Sequence, residues 1–488
     1  MSNQSDEGKK DFYVNKNVVK WDLEQLKCEE TKEDSVFLYT SAISVNVLIF
    51  ACGSGFGWTS PVVPLLKNND PEINPLAKPI SPLEESWIAS LYCLGASIGP
   101  LFAGKLADVL GRKRTLLTLA IPKLACLLIL SFAADIWLFY VTRLFMGLVV
   151  GSVFAVVPMY LAEISETHNK GRVGALMVVF LTSGVLYVFL IGPYLSVKVL
   201  TLCCALPVIL FLVIVGIFIP ESPVFLVRSR SHDKAVEALT KLRNRSQAQV
   251  QAEILNISER LELEGNERHG GLSFIFKDKG MRKSLVISIG LLMSQQFSGI
   301  NAVIAFLDPI FDASGTGIPT NLSTILIGFI QVLATIVTAA IVEKLGRKVL
   351  LLISSAGTSI SMALLGLYFH LQDGNVTLGE KLFWLPIVSL ISFIIVFSFG
   401  LSGLPWTVTS EIFPSNIMSI AFSLGSFSCF MSSFLVTLGF PILLERHGMA
   451  HCFWFFSVCM ALSTCFIYCL IPETKGRTSL ELQEILKK

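Results

Sequence analysis

From Val36 to Ile471 the chain alternates runs of roughly 20 apolar residues with shorter polar stretches. At about 1.5 Å per residue, such a run crosses the ~30 Å hydrocarbon core of a bilayer as a helix. Twelve are predicted, over 36–58, 86–106, 115–134, 138–162, 172–194, 197–219, 284–307, 320–342, 349–371, 382–408, 418–444 and 450–471. A helix satisfies its own backbone groups in lipid, so the pattern reads as an all-α polytopic membrane protein. Composition agrees. With 53% hydrophobic and 15% charged residues, against about 25% charged in an average soluble protein, a soluble domain of this size lacks the polar surface it needs.

The polar stretches orient the chain. With the N-terminus cytoplasmic, Lys67, Lys78, Lys198, Lys381 and Arg446 fall outside, and Lys123 and Arg143 fall within spans; the other 31 of 38 basic residues lie inside. That asymmetry predicts cytoplasmic termini. Residues 1–35 are charged and lack an apolar stretch, so no cleavable signal peptide is expected. No basic cluster is interleaved with aromatics as nucleic-acid binding would require. Of eleven cysteines, most lie inside predicted spans, where Cys acts as a small hydrophobe; no Cys/His spacing suggests a metal site, and no cofactor is expected. Among the sequons at Asn3, Asn244, Asn256, Asn321 and Asn375, only Asn321 and Asn375 face outside and are open to glycosylation.

Three long polar stretches divide the chain into a tail (1–35), a first half (36–219), a linker (220–283), a second half (284–471) and a second tail (472–488). In the linker, Val250, Ile254, Ile257 and Leu261 recur at helical spacing and predict an amphipathic helix under the bundle or on the membrane surface. The halves share punctuation. Asp108, Gly111, Arg112 and Lys113 follow the second span; Glu343, Gly346, Arg347 and Lys348 follow the eighth. The fourth span ends in Glu163 and the tenth in Glu411; "PESP" (220–223) and "PETKG" (472–476) follow the sixth and twelfth. Three paired markers in one order identify two six-helix repeats. Repeats of this kind place a substrate site near mid-membrane, between halves that rock against each other.

The charges at the inner ends fit that picture. Helices ending there offer unpaired carbonyls and helices beginning there offer unpaired amides, which suit cations and carboxylates respectively. Asp108, Arg112, Glu163, Lys170, Arg172 and Glu221 in one half, and Glu343, Arg347, Glu411 and Glu473 in the other, form a candidate cytoplasmic gate. Its ion pairs are expected to form when the carrier opens outward and to break when it opens inward. The alternative is a solvated charged face.

In order along the chain, "GKLADVLGRKR" (104–114), "RLFMGLVVG" (143–151), "PMYLAEIS" (158–165), "PESPVFLV" (220–227), "QQFSGINAV" (295–303), "EKLGRK" (343–348), "PWTVTSEIFP" (405–414) and "PETKG" (472–476) resemble the sugar porter family of the major facilitator superfamily. "GFGWTSPVVPLL" (55–66) resembles more narrowly the insect facilitated trehalose transporter-like members. The resemblance implies the major facilitator fold and a sugar site. Gln295, Gln296 and Asn301 match the motif whose amides bind sugar hydroxyls. Amides donate and accept, as hydroxyls do, and charged groups there would be costly to desolvate. Gln296 and Asn301 are expected to share the cavity face; hydrogen bonding to neighbouring helices is the alternative role. Gln331 stands where the family's eighth span usually offers Asn. Trp406 matches the tryptophan that packs on the ligand, although a Trp near a membrane face also serves as an interfacial anchor.

Several positions depart from the family pattern. Val178 replaces a ligand Gln, and Ala305 and Phe306 replace an aromatic pair with loss of a Tyr hydroxyl. "GLSGLPW" leaves one proline where the family has more, which predicts a tenth span that bends less freely. Cys429-Phe430 replaces Asn-Trp, Lys170 replaces Arg, and Met418 replaces Arg, which leaves Glu411 one partner fewer. A Lys lacks the bidentate fork of Arg. Lys123 lies inside the third span, where an ionisable group marks either function or snorkelling into a crevice.

The expected function is facilitated diffusion of a small sugar, such as trehalose or glucose, across the plasma membrane. Span 36–58 has no Asp, Glu or His, where proton-linked sugar porters place an Asp, and no Walker-type loop suggests ATP-driven export. Three other readings stay open: the same fold carrying another polar solute, proton symport through Glu163 or Asp308, and a weakly transporting sugar sensor. No nucleophile–base set suggests an enzyme.

Overall fold

The computed structural model describes residues 35–487 except 77, 167, 267–277, 315–318, 342–344, 375–381, 383, 414, 476 and 478; the described residues contain helices and no strand. The first half comprises α1 (Val36–Gly57), α2 (Thr59–Leu66), α3 (Pro82–Ile98), α4 (Pro100–Leu110), α5 (Arg112–Ser131), α6 (Ile136–Ile164), α7 (Lys170–Ile191) and α8 (Val197–Phe218). The linker forms α9 (Pro223–Arg228), α10 (His232–Arg243) and α11 (Gln247–Asn266). The second half comprises α12 (Lys279–Phe297), α13 (Ile300–Ala305), α14 (Leu307–Ser314), α15 (Thr320–Ile341), α16 (Arg347–Gly374), α17 (Leu385–Phe399), α18 (Leu404–Ile412) and α19 (Ser415–Leu470), followed by α20 (Ser479–Lys487).

Among the described residues, ten helices are long and apolar enough to span a membrane, and the pair α3/α4, bent by 48°, makes an eleventh. The bend falls at Pro100, which lacks the N–H that would continue the helix. Although continuous as an element, α19 makes two passes. Gly448 interrupts it with φ 79° and ψ 171°. The rings of Phe440 and Phe453 lie 6.3 Å apart, whereas thirteen residues of straight helix would separate them by about 20 Å. The arms therefore fold back on each other, and twelve passes result.

Each half has its own core. One runs from Leu38 to Leu242 and takes in Phe430 from the other half; the second is built from 287–486 and takes in Ala89, Val185 and Phe189. The halves meet where α3 packs on α19 and α7 on α15. Large apolar side chains such as Leu206, Ile217, Ile360 and Leu462 stay exposed on the outside of the bundle, a surface suited to lipid. In the linker, Val250 and Ile254 are buried against Leu226, Val227, Ala235 and Leu239, with Ile257 and Leu261 partly buried, so α11 turns its predicted apolar face onto α9 and α10. This small domain is fastened to the bundle by buried Arg243, which donates to the Ile164 carbonyl and pairs with Glu166 at 3.1 Å and Glu253 at 2.8 Å.

Besides the second span, bent at Pro100, three more break where the sequence pattern runs on. After α1 the chain continues as α2 in one apolar stretch. The seventh span breaks at Gly299, whose φ of 84° lies in the left-handed region and where an added Cβ would meet the Phe456 ring at 2.7 Å. The tenth span, expected to be stiff for want of prolines, breaks between Gly400 and Gly403. Gly400 is needed here for space, since an added Cβ would meet the Leu350 carbonyl oxygen at 2.6 Å. Pro405 sits in the first turn of α18, where its missing N–H costs nothing.

Candidate functional site

The break at Gly299 assembles a cluster of amides. Five residues apart on a continuous helix, Gln296 and Asn301 would point about 140° away from each other. With the helix interrupted, Asn301 Nδ2 donates to Gln296 Oε1 at 2.6 Å and to Ser433 Oγ at 2.7 Å. Gln296 Nε2 in turn donates to Gln295 Oε1 at 3.3 Å and to Cys429 Sγ at 3.1 Å. Gln295 spends its own amide nitrogen on the carbonyls of Leu401 and Ser402, at 2.7 and 2.8 Å. It thereby satisfies the backbone that the tenth-span break leaves without helical partners. The chain of hydrogen bonds crosses between the halves when Ser433 Oγ donates to Cys93 Sγ at 3.1 Å. Cys93, Asn301 and Ala305 line a small pocket at this seam together with Tyr92, Arg143 and Thr437.

Gln331 is buried on α15, outside the hydrogen bonds joining these amides among the described residues. Half-buried Trp406 opens α18 and faces Phe422 with ring centroids 6.1 Å apart. Phe430, in place of the family Trp, packs edge-on against Phe154 of the first half at 5.7 Å.

At the end of the bundle that carries the two Gly-Arg-Lys loops, one arrangement of charges occurs twice. In the first half, Arg112, 2% exposed, pairs with Glu163 at 2.8 Å and Asp108 at 3.3 Å, and Asp108 also pairs with Arg228 at 3.0 Å. Glu221 accepts the first amides of α5, Lys113 N–H at 2.9 Å and Arg114 N–H at 3.3 Å, while the Ser222 hydroxyl donates to Glu163. In the second half, Arg347 pairs with Glu411 at 3.1 Å. Glu473 accepts the amides of Arg347 and Lys348 at 2.8 and 3.2 Å, and the Thr474 hydroxyl donates to Glu411. Burial raises the Glu473 carboxyl, but the N–H groups of Lys475, Arg347, Lys348 and Thr474 outweigh it and hold its pKa below the usual range. Carboxylates at helix N-termini and arginines beside acidic helix ends follow from the unpaired amides and carbonyls at those ends.

None of these ion pairs joins one half to the other: Arg112–Glu163, Arg112–Asp108 and Arg347–Glu411 lock helices inside a repeat, and Asp108–Arg228 ties the first half to the linker. Lys170 and Arg172 open α7 and are exposed. Met418 packs beside Met281, Leu285 and Phe413 in a small apolar cluster. Glu343 and Asn375 lie outside the described residues, and Asn321 is exposed at the start of α15. Lys123 is 1% exposed and does not snorkel to a surface; its ammonium lies 5.9 Å from the Tyr92 ring, against which the Arg143 guanidinium stacks at 4.3 Å. Arg143 also donates to the carbonyls of Ile88 and Gly55 and to the Thr59 hydroxyl.

Gly111 is required by this architecture. Its φ of 96° and ψ of 162° belong to a region essentially reserved for glycine, and a Cβ would sit 2.4 Å from the Glu221 carboxylate. Gly111→Ala is expected to destabilise the protein by about 1–3 kcal/mol, read as a lower melting temperature in detergent. An unchanged melt would show that the turn does not depend on glycine.

Sequence reasoning missed Ser222, Thr474, Ser433, Cys93 and Arg243. Ser222 and Thr474 carried a signal, since each follows the repeated Pro-Glu. The other three carried none.

Residues 41–486 match the family described as "Sugar (and other) transporter". The chain is 33% identical over 445 residues to the facilitated trehalose transporter Tret1 of Apis mellifera ligustica, covering 91% of this chain and 87% of that protein. It is 32% identical over 471 residues to the sugar transporter ERD6-like 18 of Arabidopsis thaliana, covering 94% of each. Among solved structures, the inward-open xylose transporter XylE from E. coli superposes with a TM-score of 0.75 at 21% identity, covering 92% of this chain and 99% of that one. This last likeness speaks to the fold alone.

Proposed function

The chain belongs to the sugar (and other) transporter family, and on that premise we propose that it is a uniporter carrying a small sugar across the plasma membrane by alternating access, with no chemical step. Trehalose is the first candidate, since relatives at about a third identity are facilitated trehalose transporters. The observation that carries the reading is the amide cluster at the seam. Gln296 and Asn301 bond to each other and to hydroxyl and thiol groups, a set that a sugar's hydroxyls can replace one for one. Gln295, Gln331 and Trp406 complete the proposed site, with the indole supplying a face for the apolar C–H side of a sugar ring.

The excess of Lys and Arg at the Gly-Arg-Lys end supports placing that end and both termini in the cytoplasm. Asn321 and Asn375 are then external and open to glycosylation. The paired clusters act as the gate: each keeps the inner end of its half rigid, so that the ends part as units. Span α1 offers only uncharged groups such as buried Asn46, which favours uniport.

Uptake of labelled trehalose, glucose and fructose into cells lacking their own carriers, with and without a proton gradient, tests the reading. Saturable uptake of one sugar that stops at equilibrium and ignores the gradient is the expected result. Accumulation above the external concentration would refute uniport, and absence of uptake of all three by surface-expressed protein would refute the substrate class.

A further inference from the structure

At the end of the bundle opposite the Gly-Arg-Lys loops, the halves meet where α14 packs on α2. The interruption at Gly299 and the second turn at Phe306 set α14 off as a separate short helix, with Asp308 in its first turn and just past the end of the span. Asp308 is 6% exposed. Its backbone N–H donates to Ser60 Oγ of the first half at 3.2 Å. The Thr324 hydroxyl of α15 donates to the Asp308 carboxylate.

We propose that Asp308 is a positioning residue that fastens the two halves at this end, and that protons acting on it set how readily the end opens. The proposal rests on the alternating-access reading and names a device within it. The physical reason is the change of surroundings on opening. Closed, the carboxyl is buried against Ser60 and Thr324; parted from α2, it meets water. Burial pushes its pKa up to about 6, hydrogen bonds from Thr324 and Ser60 pull the other way, and Asp312 raises it further. The elements packed on α14 are α2, α13 and α15, none of which contains a charged residue. Lys67, just past α2, is held by Glu85 at 2.6 Å. Exposed Asp312, on α14 itself, is the one charge facing the site among the described residues.

The sign follows from linkage. The closed form has the higher pKa and binds the proton more tightly, so protonation favours closure, and a rise in pH through about 6 favours opening. With the open form at the ordinary carboxylate value near 4, the open-to-closed ratio should be about tenfold lower at pH 5 than at pH 7.

Spin labels introduced as unnatural amino acids at Leu83 and Leu322, exposed residues on opposite halves at this end, would report the two populations as distances in purified full-length protein, with no sugar needed. The wild type should show the tenfold change between pH 5 and 7. Asp308→Asn, which keeps the shape and a hydrogen-bonding group but cannot titrate, should abolish it and hold the population near the wild-type value at pH 5. Ser60→Ala should raise the open population at both pH values. A wild-type ratio indifferent to pH, or an undiminished change in Asp308→Asn, would overturn the proposal. Failure of sugar uptake alone would instead count against the substrate assignment.

Discussion

Asn301→Ala should lower kcat/KM for sugar uptake by about 10- to 100-fold, chiefly by raising KM, while the protein still reaches the cell surface. The size follows from what the side chain does. It is the joint of the amide cluster, bonded to Gln296 on one side and to Ser433 on the other. A site built to hydrogen-bond hydroxyls loses about 1–3 kcal/mol for each polar group left without a partner. Binding that serves ground state and transition state alike appears in KM. Gln296→Ala should behave similarly, since it removes Asn301's acceptor and the contact to Cys429. Gln295→Ala should differ: its amide holds the carbonyls of Leu401 and Ser402, so kcat and folded yield should fall together. Kinetics of labelled sugar influx, normalised to surface protein, separate these cases. Unaltered KM in both Asn301→Ala and Gln296→Ala would remove the cluster from the substrate path.

The second large effect is on stability. Arg112→Ala should cost about 3–5 kcal/mol, because it strands a carboxylate in a largely dry site. The Arg112 side chain is 3% exposed and Glu163's 15%. The corresponding Arg347 and Glu411 side chains are 17% and 23% exposed. Water screens that pair more, and Arg347→Ala should cost distinctly less. Pairing Arg112→Ala with Glu163→Gln should recover part of the loss, as neighbours in one network are not additive. Melting temperatures of the purified variants in one detergent give the ranking. Equal losses at the two arginines would mean that burial does not set the worth of these pairs.

What the sequence disclosed of this molecule divides along a physical line. Long apolar runs are legible because lipid leaves a helix little alternative, and the twelve passes, the two repeats and the amphipathic face of α11 were all readable. The breaks at Gly299 and Gly400–Gly403 were not, because glycine in an apolar run signals close packing as readily as interruption. The lack of prolines does not keep the tenth span continuous: it breaks between Gly400 and Gly403, with Gly400 packed closely on the Leu350 carbonyl. Seven of the ten charges singled out at the Gly-Arg-Lys end make the described ion pairs and amide caps, while Lys170 and Arg172 are exposed and Glu343 lies outside the described residues; the amide-capping role of carboxylates follows from helix ends alone. Which half each pair would join depended on tertiary geometry. Ser433 and Cys93 resemble neutral filler on a hydropathy scale; only their neighbours give them a role. α20 reads as a polar tail in the sequence, yet buried Leu482 and Leu486 and Gln483, bonded to Ser284 and Ile412, dock it under the second half.

The bond from Ser433 to Cys93 has a consequence for how such a protein can change over evolutionary time. None of the ion pairs at the Gly-Arg-Lys end joins one half to the other, and Asp308 meets Ser60 at the opposite end, whereas this contact between the halves uses a thiol, a weak acceptor. Substitutions at this one contact are therefore cheap in stability and fall next to the amides, so on the proposed reading selectivity and turnover can drift there without loss of folded protein. Substitutions in the charge clusters lower the amount of carrier before they alter what it carries. One chain thus keeps separate dials for abundance and for preference, set at different depths along the same helices.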